Sequence, residues 1–432
     1  MRFLKYITPF ILLFPYSLLS QETLLLSREE CETIFLKGNL LLIAEKLQIS
    51  QAEALVLQAK LWPNPTLEID EVNLWASKKQ LDVFGDELQG FNDGSFGKNQ
   101  QLAFSIEQLI LTAGKRKKLI ALEQVGVDKS KHYFEELLRN LKIEFRNLLT
   151  YLQYLQFSND VYQGQISSLQ QLTQSYHKQL LLNKISKGEY IRLKALELDM
   201  SNEMSDLQEE INKAQKELKF LMRLPSNVKL TIEPGGYLRD VEQFENLSLG
   251  SLLEAAKEFR PDYKIAGLKE DYYKKLHTYE RAQRTPDITL KGGYDRGGNF
   301  MYNFIGFGLA IDLPLFDRNQ GNIKHAQIGL EHSRILFEQK ELSMENELVL
   351  AYQNLSNAIH FFNQIEPDYE VTLDELLISY TRNFTDRNIS LLEYLDFLNA
   401  YLENKKIILE AGKKVNEKVE ELNYSVGTDL IK

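Results

Sequence analysis

The chain has 432 residues, 44% of them hydrophobic and 26% charged, which excludes a protein that is disordered throughout. Its formal net charge of −10 argues against a nucleic-acid-binding surface, because phosphate contacts require a basic excess. The single cysteine, Cys31, excludes both a disulfide within the chain and a thiolate metal cluster, and we expect it to be an ordinary buried residue.

The first twenty residues have the pattern of a secretory signal peptide. Arg2 and Lys5 precede an apolar stretch over residues 6–19, which Ser20 closes. That stretch is shorter than the roughly 20 apolar residues that cross a bilayer core. We therefore expect export with cleavage near Ser20, the alternative being a buried N-terminal helix. Because no later stretch is apolar for long enough to form a transmembrane helix, a membrane part would have to consist of strands.

Leucine spacings of three and four residues, together with few prolines, predict long helices. The ten prolines leave residues 66–224, a run of 159, without one. Helical patterns cover residues 27–61, 114–184, 188–224, 249–284, 321–385 and 390–422. An unbroken helix over 114–184 would be on the order of 100 Å long.

Four shorter runs alternate apolar and polar residues, and we predict strands at about 65–74, 101–110, 286–295 and 302–314. Such alternation places one face in an apolar medium and the other in water or against a close neighbour. This fits equally a sheet packed on helices in a soluble α+β protein and strands that cross a bilayer. Because four strands cannot close a barrel, the membrane interpretation requires several copies of the chain to share one.

The two halves of the chain share residues at a constant offset of 204. Tyr176, Ile185, Ser186, Glu189 and Tyr190 match Tyr380, Ile389, Ser390, Glu393 and Tyr394. The matches occur at the same point of a series of helix, strand, strand, long helix, turn and helix, so we predict an internal duplication. The expected boundaries are a signal peptide at 1–20, a first repeat at 21–226, a linker at 227–248, a second repeat at 249–424 and a tail at 425–432.

Five short motifs on this frame carry a family resemblance. They are Pro63–Leu67 (PNPTL), Glu107–Ile110 (EQLI), Gly114–Arg116 (GKR), Arg260–Asp262 (RPD) and Pro314–Gly321 (PLFDRNQG). With them the sequence resembles the outer membrane efflux proteins, the TolC-like outer membrane factors, over about residues 27–422. The last motif is most similar to the cobalt–zinc–cadmium efflux branch.

The resemblance implies a mainly α fold with a small transmembrane β part. The expected assembly is a homotrimer in which each chain gives four antiparallel strands to a twelve-stranded β-barrel. Long helical hairpins of each chain would form coiled-coil seams in a periplasmic α-barrel. The implied location is the outer membrane, in contact with its lipid, with the helical tube in the periplasm.

Family members carry an acidic pair, spaced three apart, just past the second turn of the tube. The matching residues are Glu393 and Asp396, with Glu at a position where Asp is more usual. Six carboxylates from three chains would favour cations at a narrow pore and raise one another's pKa. The alternative is that both residues lie on a solvated helix face. Tyr380 matches a tyrosine whose counterpart helps to hold the closed tip together.

The resemblance also implies partners at the helical tips, near residues 183–190 and 386–394. A periplasmic adaptor of the membrane fusion type would dock there, at Ile185, Ser186, Glu189, Tyr190, Ile389 and Ser390. The adaptor would connect the duct to an inner-membrane pump, expected to be of the RND type.

Other chemistry is weakly supported by the sequence. His325 and His332 lie seven apart on one predicted helix, but no third metal ligand stands near them. There is no phosphate loop and no dinucleotide fingerprint. We therefore expect no enzyme activity, no metal site and no cofactor.

The function predicted from the sequence is passive: an exit duct of a tripartite efflux system that conducts heavy-metal cations or drugs. Three alternatives remain open at this point. They are an outer membrane component of type I protein secretion, a secreted structural coiled coil without a pore, and the adaptor itself, which has only one helical hairpin.

Overall fold

The structure, a computed structural model, describes residues 23–73, 101–238, 244, 247–296 and 303–431. The predicted signal peptide lies outside the described residues. The helices in chain order are α1 (Arg28–Gly38), α2 (Leu40–Lys60), α3 (Lys115–Leu181), α4 (Lys187–Met222), α5 (Leu249–Phe259), α6 (Pro261–Gln283), α7 (Gln320–Phe362), α8 (Tyr369–Thr385) and α9 (Leu391–Val426). The strands are β1 (Thr23–Leu26), β2 (Thr66–Asn73), β3 (Gln101–Ile110), β4 (Lys229–Ile232), β5 (Ile288–Asp295) and β6 (Phe304–Ile311).

Three of the predicted helical segments, 27–61, 249–284 and 321–385, are each divided into two helices. A single unbroken helix in each of these segments is therefore wrong. The first break, between α1 and α2, lies at Asn39, whose backbone is extended. Its side-chain oxygen accepts hydrogen bonds from the N–H groups of Leu41 (3.0 Å) and Leu42 (3.1 Å). Its amide donates to the Leu221 carbonyl (3.1 Å). Asn39 therefore ends one helix and caps the next.

The other two breaks depend on proline. Arg260 separates α5 from α6, and its extended backbone (φ −67°, ψ 117°) is what a residue before proline prefers. Pro261 then occupies the first position of α6, where its missing N–H is not needed. Residues 363–368, which include Pro367, separate α7 from α8.

Four strands form an antiparallel sheet in the order β2-β3-β5-β6. Each lies within one of the four predicted alternating runs. The register aligns Leu67 with Ile106, Ile106 with Gly292, and Gly292 with Phe307. The two middle strands thus connect residues that are about 185 positions apart in the sequence.

A second, two-stranded sheet was not predicted. Strands β1 and β4 pair in parallel, and each has only four residues, too few for an alternation pattern to stand out. The outer edge of β4 is covered by glutamine side chains: the Leu230 N–H donates to Gln215 and the Ile232 N–H to Gln156, both at 3.3 Å.

The chain divides into two compact units, each built from separate segments. The first comprises Met1–Ile43, Leu138–Leu253 and Leu348–Lys432, and contains the two-stranded sheet. The second comprises Ala44–Leu137 and Glu254–Glu347, and contains the four-stranded sheet. Each unit takes segments from both of the predicted repeats, and the repeat boundaries stay a prediction.

A buried ion cluster in the first unit joins α1, α3, α9 and the segment that follows α9. The Arg146 guanidinium, 10% exposed, donates to Glu32 (2.9 Å), Glu420 (3.0 Å) and Asp429 (2.8 Å). Burial raises the pKa of the Asp429 carboxyl, but hydrogen bonds from Arg146 and Lys142 outweigh it and hold that pKa below its usual value. The C-terminal segment is therefore fixed to helix α3.

Candidate functional site

The first predicted tip is the turn between α3 and α4. Asn183 takes the left-handed conformation (φ 52°) that closes many helices. The Lys184 N–H donates to the Gln179 carbonyl and the Asn183 N–H to the Leu180 carbonyl, both at 2.9 Å. These two bonds satisfy carbonyls that the end of α3 would otherwise leave without partners.

The start of α4 is closed by a capping box. The Glu189 N–H donates to the Ser186 hydroxyl (3.2 Å), and the Ser186 N–H donates to the Glu189 carboxylate (2.7 Å). Ser186 and Glu189, both predicted tip residues, therefore have a structural role in fixing the turn.

The second tip, between α8 and α9, repeats these bonds at the same offset of 204 residues. Arg387 is left-handed (φ 63°) and its N–H donates to the Phe384 carbonyl (3.1 Å). The Asn388 N–H donates to the Asn383 carbonyl (2.8 Å). Ser390 and Glu393 form the second capping box, at 2.7 Å and 3.3 Å.

Aromatic rings hold the two tips side by side in the first unit. Phe384 is 3% exposed and stacks on Tyr176 of the first hairpin (ring centroids 5.6 Å apart) and on Tyr394 of its own (4.7 Å). The Arg387 guanidinium donates to the Gln179 side chain (2.9 Å) across the same contact. Movement of one tip therefore disturbs contacts of the other.

The predicted tip residues differ in accessibility. Ser186 and Ser390 are exposed, whereas Ile185, Glu189, Tyr190 and Ile389 are half-buried. Ile389 packs against the buried cluster beneath the tips. The Tyr190 ring lies beside His177, with centroids 5.3 Å apart.

The acidic pair lies on the first turns of α9, and both side chains are exposed. Hydrogen bonds from the Ser390 N–H and hydroxyl lower the pKa of the Glu393 carboxyl within the single chain. Glu393 is thus ionised and held in one orientation by its cap. Asp396 lies one turn further along the same face.

Tyr380 is half-buried and stacks on Phe397 of α9, with ring centroids 4.0 Å apart and planes 10° apart. The ring therefore packs within the second hairpin, between α8 and α9. An aromatic pair of this kind contributes about 0.5–1.5 kcal/mol beyond area burial.

A buried lysine further along the second hairpin was not predicted from the sequence. Lys405 of α9 is 5% exposed and its ammonium contacts Glu370 (2.8 Å) and Asp374 (2.9 Å) of α8. The Tyr401 hydroxyl also donates to Asp374 (2.9 Å). Its position could have been predicted from spacing, because Lys405 follows the buried residues Leu398 and Tyr401 on the same face of α9.

The four-stranded sheet is a second candidate surface because its two faces differ. The register places Leu67, Ile69, Phe104, Ile106, Ile288, Leu290, Tyr294, Ile305, Phe307, Leu309 and Ile311 on one face. Most of these side chains are exposed, and Phe307 reaches 90%. Within the described part of the chain, this face is a large exposed apolar surface.

The opposite face of the sheet is mostly polar or small, although Leu109 and Phe304 also lie on it. It carries Glu68, Asp70, Ser105, Glu107, Thr289, Lys291, Asp295, Gly306, Gly308 and Ala310. Lys291 pairs with Glu107 on the neighbouring strand. The outer strands β2 and β6 each pair on one side only among the described residues, so the sheet has two open edges.

In the part of the chain that the structure describes, no helix combines the length and apolarity that crossing a membrane requires. Nor do three or more histidine, cysteine, aspartate or glutamate side chains come together there as a metal would need. His325 and His332 are both exposed on α7.

Comparison with sequences of known proteins gives one partial match. No family model matches the chain. The cobalt-zinc-cadmium resistance protein CzcC of Cupriavidus metallidurans is 30% identical over 105 residues, which is 24% of this chain and 25% of CzcC. The match thus spans about a quarter of that relative.

Solved structures match nearly the whole chain. CusC, whose structures concern folding and transmembrane channel formation, has a TM-score of 0.70 at 18% identity and covers 93% of this chain and 92% of its own. The outer-membrane channel OprN has a TM-score of 0.71 at 13% identity, and the match covers 92% of this chain and 89% of OprN. The open outer membrane channel MtrE of Neisseria gonorrhoeae has a TM-score of 0.68 at 15% identity, and the match covers 93% of this chain and 89% of MtrE. The expected resemblance is therefore confirmed at the level of the fold.

Proposed function

We propose that this chain, which has the fold of the outer membrane efflux channels, assembles as a homotrimer into the outer membrane duct of a tripartite efflux system. Each chain would give its four-stranded sheet to a twelve-stranded barrel and its helical hairpins to a periplasmic tube. The duct would conduct substrates passively, with no reaction on the chain and no cofactor.

The observation that carries this proposal is the four-stranded sheet. Its apolar face is exposed and its opposite face is mostly polar or small. Its outer strands β2 and β6 are unpaired on one side among the described residues. A sheet with these properties in water would invite aggregation. In a shared barrel, β6 of one copy pairs with β2 of the next, and the apolar face meets lipid.

Exposed apolar helix faces support the assembly of several copies. On α2, the side chains of Leu40, Ile43, Leu47 and Leu57 are exposed, although their spacings of three, four and ten residues place them on one helix face and predict packing. On α7, Ile328, Ile335 and Leu342 are exposed at intervals of seven. Heptad spacing of this kind forms seams between helices, and here the partner helices would come from neighbouring copies.

The periplasmic end of the duct is proposed to be the pair of tips. Glu393 and Asp396 would line its aperture, with Tyr380 holding α8 against α9. A periplasmic adaptor would dock on both tips, through Ile185, Ser186, Glu189, Tyr190, Ile389 and Ser390. The turn hydrogen bonds of the two tips correspond at a constant offset of 204 residues, which supports an internal duplication. Such a duplication would give the chain two similar docking tips.

An inner-membrane pump, of the RND type in this proposal, would deliver the substrate through the adaptor. The partial match to a cobalt-zinc-cadmium resistance protein favours heavy-metal cations over drugs as the substrate. The second candidate within the duct function is type I protein secretion.

Assembly and conduction of the full-length chain test this function. After expression in a double-membraned bacterium, the chain should fractionate with outer membranes and run as a heat-modifiable trimer. The purified trimer should form ion-conducting channels in planar bilayers. A detergent-independent monomer that forms no channels would contradict the proposal and favour a secreted coiled coil. Deleting the gene and testing sensitivity to zinc, cobalt, cadmium and common antibiotics would then identify the substrate.

A further inference from the structure

A groove in the second unit lies beside the segment that connects β6 to α7. It has a volume of about 640 Å³, within the range of about 300–1,000 Å³ usual for ligand sites. Three cations, Arg284, Arg318 and Lys324, line it together with the apolar side chains of Leu315, Phe316 and Ile323. Among the described residues, no carboxylate is part of the lining.

The connecting segment is held in place by its own hydrogen bonds. Asn319, in the left-handed conformation (φ 58°), donates from its amide to the Glu280 carbonyl (2.9 Å) and carboxylate (2.6 Å). The Asn319 N–H donates to the Asp317 carboxylate (2.8 Å). Glu280 and Asp317 are thus both engaged by Asn319. Within the described residues no salt bridge occupies Arg284, Arg318 or Lys324.

The groove lies at one defined end of the four-stranded sheet. Arg284 precedes the first residue of β5 by four positions, and Arg318 follows the last residue of β6 by seven. Those terminal residues, Ile288 and Ile311, pair with each other. The cations therefore lie where the apolar sheet face ends and the helices begin. Phe316, 93% exposed, stands beside them.

We propose that this groove binds the headgroup of an anionic glycerophospholipid, with the lipid phosphate among the three cations and the acyl chains against Leu315 and Phe316. Guanidinium groups suit phosphate because their planar donors match its oxygens in pairs. Aromatic side chains favour the boundary between headgroups and hydrocarbon. The inference rests on the proposed function, since it requires the sheet to cross a membrane.

Lipid binding to the assembled full-length chain tests the inference. In native mass spectrometry from a nonionic detergent, the trimer is titrated with phosphatidylglycerol and, separately, with phosphatidylcholine of the same acyl chains. The native protein should prefer phosphatidylglycerol. The variant R284Q/R318Q/K324Q should lose roughly 100-fold in affinity for phosphatidylglycerol, because each cation near an anionic lipid surface contributes about fivefold. Its affinity for phosphatidylcholine should not change.

A matched control removes the same charge elsewhere. Lys216, Lys274 and Lys406 are exposed on helices and line no part of the groove. The variant K216Q/K274Q/K406Q should bind phosphatidylglycerol as the native protein does. A separate variant, Phe316→Ser, should weaken both lipids together, which a purely ionic contact would not do.

Three outcomes would overturn the inference. They are no lipid preference in the native trimer, equal phosphatidylglycerol binding by the groove variant, and equal losses in the groove and control variants. The first two would indicate that a neighbouring subunit covers the groove. If the trimer conducts ions in any of these cases, the proposed function stands without the lipid site. If no trimer or channel forms, the proposed function itself fails.

Discussion

Leu309→Arg tests whether the apolar face of the sheet meets lipid. Leu309 lies on that face of β6, while the adjacent Ala310 lies on the polar face. An arginine on the lipid face costs about 2–4 kcal/mol at the bilayer midplane and about 0–1 near the interface. Leu309 is two residues from the end of β6, roughly 7 Å. We therefore expect an intermediate cost of about 1–3 kcal/mol per chain.

The trimer multiplies this cost, because one substitution introduces three arginines into the barrel. Three separate sites add to about 3–9 kcal/mol, which is comparable to the whole stability of many proteins. The assay is the fraction of chain that runs as a heat-modifiable trimer from outer membranes, with thermal unfolding of the purified trimer beside it.

Ala310→Arg is the matched control for this experiment. It adds the same charge one residue away, on the face that would line the lumen, where substitutions are tolerated. We expect little loss of trimer. If Leu309→Arg assembles as well as Ala310→Arg, the apolar face does not meet lipid. The reasoning would also be refuted if Ala310→Arg caused the larger loss.

Three further predictions concern the tips, the ion cluster and the helix seams. In bilayer recordings, Glu393→Gln should raise channel conductance or reduce block by polyvalent cations. The control, Glu189→Gln in the equivalent capping box, should change neither conductance nor block. The depressed pKa of Asp429 stabilises the fold above the unfolded pKa of about 3.9, and this contribution disappears as pH falls through the folded pKa. Asp429→Asn should therefore lower the free energy of unfolding by about 1–3 kcal/mol at pH 7, with the difference narrowing below about pH 4; a constant difference in unfolding curves from pH 3 to 7 would contradict this. Ile335→Glu, on the exposed α7 heptad, should reduce trimer yield without changing helix content by circular dichroism.

Periodicity predicted the sheet well because two-residue alternation is a direct consequence of strand geometry. Its limits appear at the helix breaks. Asn39 interrupts a continuous leucine pattern, and the break depends on hydrogen bonds to Leu41, Leu42 and Leu221 that only the folded chain brings together. The breaks at Pro261 and Pro367 had a local signal, the proline itself. The prediction nevertheless gave more weight to the apolar spacing on either side of each proline.

The same distinction applies to the candidate site. Ser390 and Glu393 have the spacing of a capping box, a local motif, and the structure places them in one. The stacking of Tyr380 on Phe397 and the burial of Lys405 depend on how α8 and α9 pack, which spacing within one helix does not specify. Apolar spacing indicated which residues of α2 and α7 would pack, but it did not indicate that several of them stay exposed in the described part of the chain.

The position of Arg146 has a consequence for biogenesis. Its acidic partners come from residue 32, near the start of the chain, and from residues 420 and 429, near the end. During synthesis, Glu32 and Arg146 emerge long before Glu420 and Asp429. The cluster therefore stays incomplete until these two acids have been added, and a chain that lacked them would leave the largely buried guanidinium with Glu32 as its one partner in this cluster. The last step in closing the first unit is in this sense set by the order of synthesis, and deletions that remove Asp429 should loosen the attachment of the segment after α9 to α3.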